Sequence, residues 1–250
     1  MRLKSNSNYT HLHNHTEYSP FDGANKMGEW VLHARRMGFK SLAISDHGNI
    51  GGWIKFYQEC RRKKDKEDKE LLGLDGKPLP TIKPIFGMEA YLARNIKEKN
   101  PDQRKGNRHL LLIAKNKDGY ENLCALAQLA QVEGRYIDPR IDLDNLAKHS
   151  NGLICSSACL SSVINANLMH GRFDQAKAVA TIFKDIFGRD FFLEVMYHGI
   201  DAEGLIIPDV LRLGKMLDIP VIASNDCHYC RKEQARSQEV LMAMSTSRCI

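Results

Sequence analysis

Seven short apolar runs, most of them followed by a stretch of helical periodicity, predict an α/β protein whose strands wind through crossovers into a parallel sheet or a barrel. Two further observations fit this class. The chain has 250 residues, 43% apolar and 26% charged, which is ordinary for a globular protein and enough to bury a sizeable core in one or two domains. Side chains of metal-ligand type also recur just past the apolar runs, and in barrels of this kind the strand ends carry the active site.

The elements follow in order. Residues 9–13 are the first strand candidate. A helix is expected over 25–37, with Trp30, Val31, Ala34 and Met37 on one face and Gly38 as its stop. Residues 41–45 (SLAIS) form a short buried strand. The next helix spans 51–64, with Trp53, Phe56, Tyr57 and Cys60 at helical spacing. Residues 61–80 are dense in charge of both signs and end in a Gly/Pro turn, so they form a solvated helix end and loop. Strands at 82–92 and 109–115 flank a polar, basic loop running from Arg94 to Arg108. A helix over 119–131 and a short one over 142–149 precede a strand at 152–156. Helices at 160–170 and 173–187, a strand at 191–196, a helix at 202–217, a strand at 220–224 and a last helix from Lys232 complete the chain.

Lys and Arg outnumber Asp and Glu by 36 to 30, a weak lean towards a polyanionic partner. The N-terminal residues contain no apolar leader. Seven cysteines, an odd number, then point to reduced thiols in the cytoplasm and not to a disulfide scaffold. No apolar run of about 18 residues is present, so no membrane-spanning helix and no membrane partner are expected.

Ligand-type residues stand at separated places along the chain. His13 and His15 form an i, i+2 pair in HLHNHT, and extended backbone puts both imidazoles on one side, where two neutral rings can grip a divalent ion. Asp22 follows in SPFDG. Asp46 and His47 end the second run, Glu89 lies in GMEAY, and His109 opens the fourth run. Cys159 comes just past the fifth, and Asp226 and His228 again stand at i, i+2. Each has an ordinary alternative: Asp46 could cap a helix, Asp22 could shape a turn, Glu89 could be half of an ion pair, and Cys159 could be a small core residue. Their combined placement is what carries the metal reading.

The runs HLHNHTEYSPFDG, AISDHGNIGG, IKPIFGMEAYL, HLLLIAKNKDGYENL, GLICSSACLSS and IPVIASNDCHY resemble the polymerase and histidinol phosphatase (PHP) domain. The spacers match most closely the form at the N-terminus of bacterial DNA polymerase III alpha subunits, and the resemblance covers nearly the whole chain from Tyr9. It implies one PHP domain over 1–250, a distorted seven-stranded (βα)7 barrel, with the polymerase palm, fingers and thumb absent from this chain. The family's ligand positions carry over onto His13, His15, Asp22, His47, Glu89, His109, Cys159, Asp226 and His228, a complete set that implies three divalent ions, zinc or manganese. Asp46 is a supporting residue or a helix cap, not a ligand. Three ions bring +6, against about −4 from Asp22, Glu89, Asp226 and a Cys159 thiolate, and a net positive site suits a phosphate ester.

The activity implied is 3′–5′ exonucleolytic proofreading on single-stranded DNA or a primer 3′ end, with other replisome subunits as further partners. Asp226, Glu89 and His13 are the catalytic candidates, and Arg104, Lys105 and Arg108 the contacts to the phosphate backbone. Two rival readings stand beside it. One is a stand-alone small-molecule phosphatase of histidinol phosphatase type, and the other is a non-catalytic, metal-stabilised module that braces a polymerase. Several tempting residues are set aside: His11 as an extra ligand, Cys227 and Cys230 as a lone CxxC, Cys155 as a partner of Cys159, and His33, His149 and His170 in helices. His198, after the sixth strand, is a candidate substrate contact.

Overall fold

The structure is a computed structural model of the chain and describes residues 9–99 and 107–246. It divides into two compact units. The first holds residues 9–46, 51–86 and 227–246, and the second holds 47–50, 87–99 and 107–226.

In the first unit, helix α1 (Met27–Arg36) buries Met27, Trp30, Val31 and Ala34, one stripe at helical spacing. Met37, expected on that face, lies beyond the helix as its C-cap. Arg35 is buried too, because its guanidinium donates to the carbonyls of Arg62 (2.7 Å), Leu79 (2.9 Å) and Pro80 (2.9 Å). Those bonds tie down both ends of the charged segment, which is mostly exposed as expected, with Leu71 buried. Strand β1 (Ser41–Ile44) is followed by α2 (Trp53–Arg61), which buries Trp53, Phe56 and Cys60. Tyr57 falls at the edge of that stripe and is 50% exposed. Strand β2 (Lys83–Leu92) runs from this unit into the other. Its first half pairs in parallel with β1, from Ser41–Lys83 to Ile44–Phe86.

Residues 9–13 do not form the expected strand. The segment bonds irregularly: the His11 carbonyl accepts from Ala43 N (3.1 Å), the Asn14 carbonyl from Ser45 N (3.0 Å) and the His13 carbonyl from Cys227 N (3.1 Å). The regular element is reduced to a single bridge between Asn14 and Cys227. The physical reason is the Asn14 side chain. Its amide donates to the carbonyls of His11 (2.9 Å) and Ala43 (3.0 Å), competing for acceptors that a ladder would use.

In the second unit, the rest of β2 pairs antiparallel with β3 (Arg108–Ala114) and parallel with a two-residue strand, β4 (Arg140–Ile141), that was not expected. Strand β3 also runs antiparallel to β5 (Leu153–Ser156). From there the pairing is parallel, to β6 (Phe191–Val195) and then β7 (Val221–Ala223). The expectation of an all-parallel series is thus corrected at β3. Its connection from β2 has no helix among the described residues, and parallel neighbours are usually joined through a crossover helix.

Helices α3 (Lys117–Val132), α4 (Leu143–Lys148) and α5 (Val163–Met169) each start on a side-chain cap. Asn116, Asp142 and Ser162 accept the amide of the residue three positions on, at 3.0, 3.1 and 3.1 Å. Helix α6 (Phe173–Phe187) buries Ala176, Ala180, Phe183 and Phe187, and α7 (Asp201–Leu217) buries Ile206, Val210 and Leu213. Leu110, Leu111 and Leu112 of β3 are all buried, so both faces of that strand are covered. The last helix, α8 (Ala235–Thr246), belongs to the first unit and follows a 3-10 turn at 232–234.

Candidate functional site

Five of the candidate ligands lie in the second unit. Glu89 is fully buried in β2 with its two carboxylate oxygens turned to different neighbours. Oε2 lies 2.6 Å from His47 Nδ1, and Oε1 lies 3.1 Å from His109 Nδ1. Cys159 Sγ joins the second side, 3.8 Å from Glu89 Oε1 and 3.5 Å from His109 Nδ1. His47, Glu89 and His109 each offer a ligand atom, and these atoms lie within 4.8 Å of one another, close enough to hold one ion.

The backbone explains this convergence. Gly48 has φ +60, its N–H donates to the Glu89 carbonyl (2.8 Å), and a Cβ there would stand 2.4 Å from Pro139 Cγ. Only glycine therefore lets His47 lie beside Glu89. Cys159 is presented by a tight turn after β5. Its carbonyl accepts from Ser162 N (3.0 Å) and Asn165 Nδ2 (3.0 Å) at the start of α5. Burial pushes the Cys159 thiol well up, and the charges of Glu89 and Asp226 push it further in the same direction. Asp226 stands three residues past β7 with φ +42, a left-handed conformation that few residues other than glycine adopt.

In the first unit, His13 and His15 are buried with ring centroids 5.3 Å apart, as the i, i+2 spacing predicts. The His15 ring stacks on His228 at 4.4 Å, and His228 Nε2 lies 3.6 Å from Asp22 Oδ2. Asp46 does not cap α2, whose N-cap is Gly52. It instead accepts from Thr16 N (2.6 Å), Thr16 Oγ1 (2.8 Å) and Ser19 Oγ (2.8 Å), locking the loop that follows His15. The Ser19 hydroxyl has one proton and gives it to Asp46. Its contact with His15 Nδ1 (3.2 Å) must therefore be a bond that Ser19 accepts. That tautomer leaves the lone pair on His15 Nε2, the form in which histidine binds a metal. Gly23 is required beside Asp22, since a Cβ there would meet the Thr16 carbonyl oxygen at 2.0 Å.

The residues set aside on sequence grounds have local partners. His11 lies edge-on to Tyr9 and near Phe39 and Cys227 Sγ, and burial lowers its pKa. Cys230 Sγ turns to Gln234 Oε1 (3.2 Å), so the two CxxC thiols face different neighbours. His149 Nδ1 contacts Asn122 Oδ1 (3.2 Å), and His170 Nδ1 contacts the Ala166 carbonyl (2.7 Å). His198 is taken up by protein groups: Nδ1 lies 2.8 Å from Glu203 Oε1 and Nε2 lies 2.8 Å from the Asn225 carbonyl. Burial pulls its pKa down, but these two acceptors and the nearby carboxylates outweigh burial and raise it. Of the DNA-contact candidates, Arg108 opens β3 and is partly exposed, while Arg104 and Lys105 lie outside the described residues.

Sequence reasoning missed two buried acids. Glu194 in β6 accepts from the hydroxyls of Ser156 and Ser224, and Glu203 in the first turn of α7 holds His198. A lone acid inside the apolar run FFLEV was the available signal for the first. No described helix is long and apolar enough to cross a membrane.

A family model described as "PHP domain" matches residues 11–198. The chain is similar to the DNA polymerase III alpha subunit of Borreliella burgdorferi, 38% identical over 242 residues. It is also similar to that of Campylobacter jejuni, 40% identical over 249 residues. Each match covers 96% of this chain but only 20% and 19% of the relative, so the chain spans about a fifth of the length of these curated relatives. Among solved structures, an amidohydrolase from Chromobacterium violaceum, with bound sulfate and no metal, matches with a TM-score of 0.51 at 12% identity. That match covers 94% of this chain and 97% of the other, a likeness of fold alone.

Proposed function

The chain belongs to the PHP domain family, and we propose that it is a metal-dependent phosphodiesterase that removes nucleotides from the 3′ end of single-stranded DNA, as part of a polymerase III alpha subunit. The observation that carries the metal-dependent part is the divided Glu89 carboxylate. One oxygen faces His47, and the other faces His109 and Cys159. A buried carboxylate with an imidazole at one oxygen and an imidazole and a thiol at the other would hold a divalent metal together with those residues. The donor set of neutral imidazole, carboxylate and thiol fits zinc, and its imidazole and carboxylate part fits manganese. The 32–40% identity to polymerase III alpha subunits supports DNA, rather than a small phosphomonoester, as the substrate.

On this reading the nine candidate ligands would hold three divalent ions. When bound, such ions neutralise phosphate oxygens and make water a nucleophile near neutral pH. The protein's own part is to keep its ligands in the right state and place. Ser19 and Asp46 hold His15 in the metal-binding tautomer, and Glu89, Asp226 and His13 are the catalytic candidates. Arg104, Lys105 and Arg108 hold the DNA backbone. We further propose that residues 1–250 form one domain of the family's distorted (βα)7 type, working in the cytoplasm with the other parts of the polymerase.

The test is release of nucleotides from 5′-labelled single-stranded DNA. Asp226→Asn is expected to abolish release while DNA binding persists. Replacing Arg104, Lys105 and Arg108 with Ala is expected to raise KM more than it lowers kcat. Full activity of Asp226→Asn, in a preparation free of other nucleases, would contradict the assignment.

A further inference from the structure

We propose that His198 is a positioning residue for Asp226, holding the peptide that leads into it through the Asn225 carbonyl. This rests on the reading of Asp226 as a metal ligand. The geometry is specific. Glu203, buried in the first turn of α7, accepts both from His198 Nδ1 (2.8 Å) and from the His198 backbone N–H (2.7 Å). The ring is thereby fixed, and its other nitrogen lies 2.8 Å from the Asn225 carbonyl oxygen. Both ring nitrogens face acceptors, so both donate.

That carbonyl belongs to the peptide bond entering Asp226, whose φ of +42 is a conformation a non-glycine residue holds only when its surroundings enforce it. One residue earlier the chain is anchored again. Ser224 N donates to the Val195 carbonyl (3.0 Å) and the Ser224 hydroxyl donates to Glu194. Two successive residues before Asp226 are thus pinned from β6 and the turn after it. Without His198, the peptide entering the left-handed turn at Asp226 loses this hydrogen bond, and with it a restraint on the direction of the carboxylate. The sequence alone suggested a substrate contact for His198, but both of its nitrogens are already engaged with protein groups.

The conservative variants separate positioning from mere packing. His198→Gln keeps a donor where Nε2 sits and can still hold the Asn225 carbonyl. His198→Asn keeps a donor only near Nδ1 and can hold Glu203 alone. Manganese affinity by calorimetry and kcat on single-stranded DNA would be measured for both, with circular dichroism to confirm folding. Supporting residues around metal ligands are typically worth 10- to 100-fold in affinity or activity. His198→Asn is therefore expected to weaken manganese binding by at least about tenfold and to lower kcat with little change in KM. His198→Gln should recover most of both. In an Asp226→Asn background, His198→Asn should cost no further affinity.

Equal losses in the Gln and Asn variants would overturn the proposal. So would wild-type affinity in His198→Asn, or a full further loss in the Asp226→Asn background. If the wild-type chain binds manganese but releases no nucleotide, the nuclease reading fails while the affinity measurements still decide this one.

Discussion

Glu89 is the residue on which most of the second-unit chemistry converges, and it permits a sharp substitution. Gln is nearly the same shape but carries no charge, and one of its two ends is an N–H2 that would face His47 or His109 in place of an acceptor. Glu89→Gln is expected to weaken metal binding more than tenfold and to lower kcat to near background, a loss that metal titration and the nuclease assay would both read. The histidines offer a second residue-scale check. His198 is raised above its ordinary 6.5, whereas burial lowers His11, and burial together with Arg231 and Arg36 lowers His33. A raised histidine contributes stability that is present below pH 6.5 and fades as pH rises through its folded value. A lowered one contributes stability that is present above 6.5 and fades as pH falls. An NMR titration of the folded chain should place the His198 midpoint above 6.5 and those of His11 and His33 below it.

Among the elements, those with a strong period were legible and the irregular ones were not. Helices α1, α3, α6 and α7 appear where apolar residues recur at helical spacing, each end within two residues of the expected one. Strand β4 escaped because two residues carry no period. Residues 9–13 were mistaken for a strand because their alternation resembles one, while the Asn14 amide competes for the ladder's acceptors. The direction of β3 could not be read either, since a continuous apolar run looks the same in both directions. The candidate ligands could be singled out because most stand at the ends of apolar runs in spaced motifs. Their supports could not: Asp46 reaches Thr16 from 30 residues away, and Glu194 reaches Ser156 from 38. Contacts at such separations leave no spacing to read. The caps give an element-scale test. Asn116 accepts from Gly119 N at the start of α3, and Asn116→Ala should cost about 1 kcal/mol, seen as a lower urea midpoint at unchanged slope.

At the scale of the whole molecule, the candidate ligands are spread from His13 to His228, so metal binding and folding should be linked. An ion that binds only the folded chain stabilises it by about 2.7 kcal/mol at a hundredfold excess over its Kd. The number of ions is the sharper quantity, because nine ligands suit three ions with water completing each shell, while the His47, Glu89 and His109 group alone suits one. The most direct measurement is elemental analysis of metal per chain, on protein purified without chelators and then saturated with manganese or zinc. Close to three ions per chain are expected, falling on Glu89→Gln substitution. One ion or none at saturation, in a chain that remains folded, would contradict the three-ion reading.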